Sequence, residues 1–254
     1  MTPPSDEALQ IVGIGNLINA GNGISADDVN ATEVCLVALV IDDSGSMSRV
    51  NGDRTKNPKG LSNWELAIEG HNSIIKDLKR MAQRDGILFH SSLLNRGVVS
   101  QWVQIDNATE LDARSHSMGG HTPLRSTAVS VLGFNVREKY KEFDDAAANV
   151  RTITAFVTDG GNTDSVSTDA IKRIVEPMIL EETHIIIGIG IHDGYTDFHQ
   201  EFKNWGLQDQ WIKTVDDDPK EIMKVFQMVS RVSQKVSQSS AANVASQFAG
   251  GFGG

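Results

Sequence analysis

The sequence predicts an α/β fold with a doubly wound, mainly parallel central sheet, flanked by helices and edged by one antiparallel hairpin. Three observations predict it. Continuous apolar runs of strand length recur at residues 34–41, 152–158 and 185–191, and a strand apolar on both faces is one covered on both faces. Helix-period segments at 63–81, 124–141 and 168–180 lie around them, the alternation that builds crossover units. Two shorter strand-like runs, 87–94 and 98–105, are separated only by Asn95-Arg96-Gly97, which reads as a hairpin turn.

The elements follow in order. Residues 1–32 are polar and rich in Gly and Asn, and are expected to form an N-terminal extension to a domain over 33–236. Val34 to Ile41 opens the domain as a core strand and ends abruptly in Asp42-Asp43-Ser44-Gly45-Ser46. A charged loop, Arg49 to Gly60, leads to a helix that Ser62 or Asn63 caps, with Glu65 in its first turn. After the hairpin, a Gly-rich loop over 115–124 precedes a helix from about Leu124 to Lys141. The strand 152–158 ends at Asp159-Gly160-Gly161, and a helix over 168–180 leads to Ile185-Ile186-Ile187-Gly188-Ile189-Gly190-Ile191. A short helix over 198–205, an edge strand over 211–215 and an amphipathic helix opened by Pro219 complete the domain. Residues 237–254 are Ser, Ala, Gln and Gly with two Phe, and read as a flexible tail.

Composition narrows the function classes. The 254 residues include 23 Lys and Arg against 33 Asp and Glu, a net charge of -10. Phosphate neutralisation needs clustered basic side chains, so nucleic acid is not an expected partner. No apolar stretch is long enough to span a bilayer, and the N-terminus has no basic region ahead of an apolar one. The expected setting is cytoplasmic. Cys35 is the only cysteine and lies inside an apolar run, so it reads as a core thiol.

Chemistry concentrates in three loops. In a doubly wound sheet, the loops beyond the carboxyl ends of the strands converge at the switch point. Here those loops are Asp42-Asp43-Ser44-Gly45-Ser46-Met47, Met118-Gly119-Gly120-His121-Thr122-Pro123-Leu124 and Thr158-Asp159-Gly160. Two carboxylates and three hydroxyls make an all-oxygen set that suits a hard cation such as Mg²⁺, with Mn²⁺ or Ca²⁺ also possible. Taken separately, each loop also reads as something plainer: a turn, a strand exit, or Thr122 as a helix cap before Pro123. Arg49, Arg54, Lys56, Lys59 and Arg125 read either as a basic rim that attracts an acidic ligand or as a solvated surface. Asp193, Asp197 and Asp216-Asp217-Asp218 read as helix caps.

At these residues the chain resembles the von Willebrand factor A (vWA) family and its metal-ion-dependent adhesion site. That pattern is Asp-x-Ser-x-Ser, a distant Thr and a distant Asp. It is met by Asp42, Ser44 and Ser46, by Thr122 within Gly120-His121-Thr122-Pro123-Leu124, and by Asp159 within Thr158-Asp159-Gly160. The resemblance runs over about residues 33–235. It implies Ser44, Ser46 and Thr122 as hydroxyl ligands of Mg²⁺, and Asp42 and Asp159 as ligands directly or through water. It also implies a partner protein whose Asp or Glu completes the shell. Stand-alone bacterial vWA proteins, linked with tellurium resistance and stress or working beside AAA+ ATPases or kinases and phosphatases, are the nearest in kind. A Mg²⁺-dependent phosphohydrolase is the alternative, but the second Asp it needs would stand where Ser44 does. A scaffold with a purely structural metal is the third reading.

Overall fold

The computed structural model describes residues 23–29, 31–113 and 118–238. Of the tail expected over 237–254, Ser237 and Gln238 instead continue the last helix; the rest of it and most of the expected N-terminal extension lie outside the described residues. The apolar runs become a six-stranded sheet in the order β3-β2-β1-β4-β5-β6. The strands are β1 (Glu33–Ile41), β2 (Ile87–Leu93), β3 (Gly97–Gln104), β4 (Asn149–Thr158), β5 (His184–Ile191) and β6 (Ile212–Val215). All neighbours run parallel except β2 and β3, the expected hairpin. From β1 the chain moves outward to β2 and β3, then returns to β4 on the other side. The switch point therefore lies between the carboxyl ends of β1 and β4.

The helices are α1 (Asn63–Lys79), α2 (Leu124–Ser130), α3 (Arg137–Asp145), α4 (Thr168–Leu180), α5 (Phe198–Asn204) and α6 (Pro219–Gln238). Strand β1 explains its own sequence. Val37, Leu39 and Ile41 face a core filled by Trp64, Ile75 and Phe226 from α1 and α6. Leu36, Ala38 and Val40 face a second core with Leu132, Phe143 and Val175 from the opposite layer. Alternate side chains of one strand thus enter two apolar layers, so every position must be apolar. Cys35 belongs to the first core, and burial pushes its thiol up to about 12, which leaves no reactive thiolate.

The Gly188-Ile189-Gly190 alternation in β5 has a packing cause. A Cβ on Gly188 would lie 2.4 Å from the Phe202 ring, and one on Gly190 would lie 2.2 Å from the Phe198 ring. Helix α5 lies on the strand because these two positions carry no side chain.

The expected helix over 124–141 is not continuous. A π-helical turn, Val131–Val136, separates α2 from α3. The break is a single turn of i→i+5 bonding within otherwise helical backbone, too short to show in the apolar pattern. Its Asn135 carbonyl accepts a hydrogen bond from Trp102 Nε1 at 3.1 Å, which ties the turn to the edge strand. Trp102 has φ +42° and lies on a strand whose pairing with β2 shifts register, a bulge that bends the exposed edge. No helix among the described residues is long and apolar enough to cross a membrane.

Candidate metal centre

The turn after β1 begins where Asp42 N–H donates to the Val157 carbonyl at 2.8 Å, so the two strand ends leave the sheet together. Asp42 Oδ1 accepts from the Ser44 N–H at 2.7 Å, which curls the loop back on itself. The Ser44 and Ser46 hydroxyls are 2.8 Å apart, and Ser46 Oγ donates to Asp159 Oδ1 at 2.6 Å. Ser44, Ser46 and Asp159 therefore form one connected chain of side-chain oxygens across the switch point, and the Ser44 N–H joins Asp42 to it.

Thr122 arrives from the remaining loop, 118–124. A Cβ built on Gly160 would lie 3.0 Å from Thr122 Oγ1, 3.2 Å from Ser46 Oγ and 3.9 Å from Asp42 Oδ2. Oxygens from two loops thus surround a point beside Gly160 on the third, and Gly160 leaves room there. The plainer reading of Thr122 as a helix cap fails, because Pro123 occupies the cap position of α2 and makes no side-chain cap bond. The backbone of Thr122 is held instead by Thr163, whose Oγ1 accepts from Thr122 N–H at 3.0 Å.

The electrostatics are lopsided. Asp42 and Asp159 are fully buried. The hydrogen bonds to Asp42 come from the Ser44 N–H and from Thr158 Oγ1 at 2.7 Å. Those to Asp159 come from Ser46 Oγ and from Asn63 Nδ2 at 3.0 Å. All these donors are neutral. Burial pushes Asp42 up to about 6, against the pull of its hydrogen bonds and with Asp159 adding to the rise. Burial likewise raises Asp159, and Arg49 opposes that rise from a distance. Among the described residues no cationic side chain bonds to either carboxylate; two such buried charges are costly by themselves, and a bound cation would relieve them. Among the described residues no three His, Cys, Asp or Glu side chains gather at one point. The donor set here is two carboxylates with hydroxyls, the hard, oxygen-only kind that Mg²⁺ takes.

Sequence reasoning missed two contributors. Asn63 was a possible helix cap, but Ser62 takes that role in a capping box with Glu65, accepting from Glu65 N–H at 3.2 Å. The amide of Asn63, one residue inside α1, is thereby free to reach Asp159. The sequence marks Thr158 only as part of the strand exit, yet its hydroxyl holds Asp42. No local signal marks either residue, since each acts on a side chain distant in sequence.

The expected basic rim is mostly committed elsewhere. Arg125 pairs with Glu201 through two 2.7 Å hydrogen bonds and also donates to the Val166 carbonyl, so it does not face the loops as a ligand trap. Arg49 donates to the His192 carbonyl at 3.1 Å, and Lys56 lies 4.0 Å from Asp218. Asp197 caps α5 through Gln200 N–H at 2.9 Å, and Asp193 accepts from the Tyr195 and Thr196 N–H groups of its own loop. A cleft of about 450 Å³ adjoins the centre, lined by Arg49, His192, Asp193, Tyr195, Asp216 and Asp217. Tyr195 stands 96% exposed at its edge.

No family model and no curated protein matches the chain. Solved structures do resemble it. Proximal thread matrix protein 1 from the mussel byssus aligns over 80% of this chain and 47% of its own, with 17% identity and a TM-score of 0.52. The pilus adhesin SpaC from Lactobacillus rhamnosus GG aligns over 80% of this chain and 31% of its own, with 11% identity and a TM-score of 0.55. The VWA domain of SpRpn10 aligns over 82% of this chain and 99% of its own, with 12% identity and a TM-score of 0.49. The chain spans less than half the length of the first two. At these identities the first two likenesses are of fold alone.

Proposed function

We propose that the chain is a protein-interaction module that holds Mg²⁺ at the switch point and binds a partner through the ion's open face. Asp42, Ser44, Ser46, Thr122 and Asp159 hold the ion, and a carboxylate from an Asp or Glu of the partner completes its shell. The bound ion supplies positive charge and a vacant or water-filled position for that carboxylate. The carrying observation is the pair of fully buried carboxylates from two loops, bonded among the described residues only to neutral donors, with the Thr122 hydroxyl of a third loop beside them. Two protein charges around a divalent ion leave it short of anionic ligands, which favours an outside carboxylate over a closed structural site.

The adjoining cleft gives the partner's flanking residues a place to lie, with Tyr195 offering an exposed aromatic face. We assign no catalytic role to the chain. The wider setting, an intracellular complex with an AAA+ ATPase or a kinase or phosphatase, is implied only by the family resemblance.

Immobilised protein should retain a partner in Mg²⁺ and release it in EDTA. The Asp42→Ala/Ser44→Ala variant should fail to retain it in either buffer. Capture that persists through chelation and through the double substitution would remove the metal from the interface.

A further inference from the structure

The hairpin turn between β2 and β3 carries a side chain outside the five-residue metal pattern. Asn95 N–H donates to Asp43 Oδ1 at 2.7 Å, and Asn95 Nδ2 donates to the same oxygen at 3.0 Å and to the His121 carbonyl at 2.8 Å. Gly119 N–H donates to the Asp43 carbonyl at 2.8 Å. Gly120 has φ +93°, and a Cβ there would lie 2.6 Å from Asn95 Oδ1, so the backbone of the Thr122 loop runs directly against this amide. One asparagine therefore joins the loop after β1, the hairpin turn and the loop that brings Thr122.

Asp43 makes the joint unusual. It is fully buried, its Oδ2 accepts no hydrogen bond among the described residues, and the Arg96 guanidinium lies 3.6 Å away. A buried carboxylate compensated this weakly costs stability, and an apolar residue would pack there more cheaply. What Asp43 does supply is a fixed acceptor for Asn95. Thr122 consequently lies between two anchors. On one side Thr163 Oγ1 accepts from its N–H while Thr163 N–H donates to its carbonyl, both at 3.0 Å. On the other side, the carbonyl of its neighbour His121 is held by Asn95.

We propose that Asn95, fixed by Asp43, is a positioning residue that sets where the Thr122 hydroxyl stands relative to Asp42 and Ser46, and so sets the affinity of the centre for Mg²⁺. The inference rests on the metal reading above. It extends the centre to a strand pair that contributes none of the five ligands.

The test is Mg²⁺ titration by calorimetry on wild type, Asn95→Ala, Thr122→Ala and the double variant. Truncation removes one donor from the buried Asp43 carboxylate and one from the His121 carbonyl, so the metal-free melting temperature should fall by about 5 °C while the chain stays folded at the titration temperature. Mg²⁺ affinity should fall about 10-fold, the scale on which groups behind the ligands act. The double variant should bind no more weakly than Thr122→Ala alone, because both changes act through one hydroxyl. Undiminished affinity in Asn95→Ala, or losses that add in the double variant, would overturn the inference while leaving the metal reading intact. A wild-type chain that binds no Mg²⁺ would remove both.

Discussion

Asp42→Asn should abolish the response of the chain to Mg²⁺ and at the same time raise the stability of the metal-free protein at pH 7. The two effects share a cause. Burial lifts the carboxyl of Asp42 from an ordinary 3.8 to about 6 in the folded chain. An acid whose pKa is raised by folding destabilises the fold once it ionises. The cost is absent below pH 4, grows between 4 and 6, and is complete above that, where it amounts to about 3 kcal/mol. Metal-free wild type should therefore lose stability as pH rises through this window. The asparagine variant should lose less, with only the smaller contributions of Asp43 and Asp159, both also raised by burial, left in place. Added Mg²⁺ should restore the wild type and leave the variant unmoved. Melting curves at pH 4, 5, 6 and 7, with Mg²⁺ and with EDTA, read all of this. A metal-free variant less stable than wild type at pH 7 would mean that the charge of Asp42 is compensated within the fold.

Gly190→Ala should destabilise the protein by about 3 kcal/mol, the upper part of the range for overpacking. In a strand, alanine is ordinarily the better residue, since glycine gives up more chain entropy on folding. Packing reverses that preference. The new methyl would lie 2.2 Å from Phe198 Cγ and 2.4 Å from Phe198 Cβ. Cβ cannot swing aside with the ring, so α5 itself must move off the sheet. Phe198 is fully buried and follows directly on Asp197, the cap of α5, so displacement would also disturb the loop beside the cleft. Chemical denaturation of the variant measures the loss; a midpoint equal to wild type would show that α5 is not seated on the strand as described.

What the sequence revealed depended on range. The run Val34 to Ile41 announced a strand buried on both faces because local composition carries that information. Asp42, Ser44 and Ser46 were legible because their spacing lies within one turn, and Thr122 and Asp159 because each follows a recognisable pattern at an element boundary. The helix break at Val131–Val136 is not legible, since one turn of i→i+5 bonding is too short to show in the apolar pattern. Nor were the roles of Asn63, Thr158 and Asn95, which act on side chains that only the fold brings near. Arg125 fits neither the rim nor the solvated reading that its sequence position allows, because Glu201, 76 residues on, claims its guanidinium.

The central claim is that oxygens of three separate loops form one cation site. Calorimetric titration of the EDTA-stripped chain with Mg²⁺ at pH 7 tests it most directly when wild type is compared with Ser46→Ala and Thr122→Ala. One ion should bind per wild-type chain, with affinity reduced about 10-fold or more by either substitution. An ion bound equally well by both variants, or no binding by wild type, would contradict it.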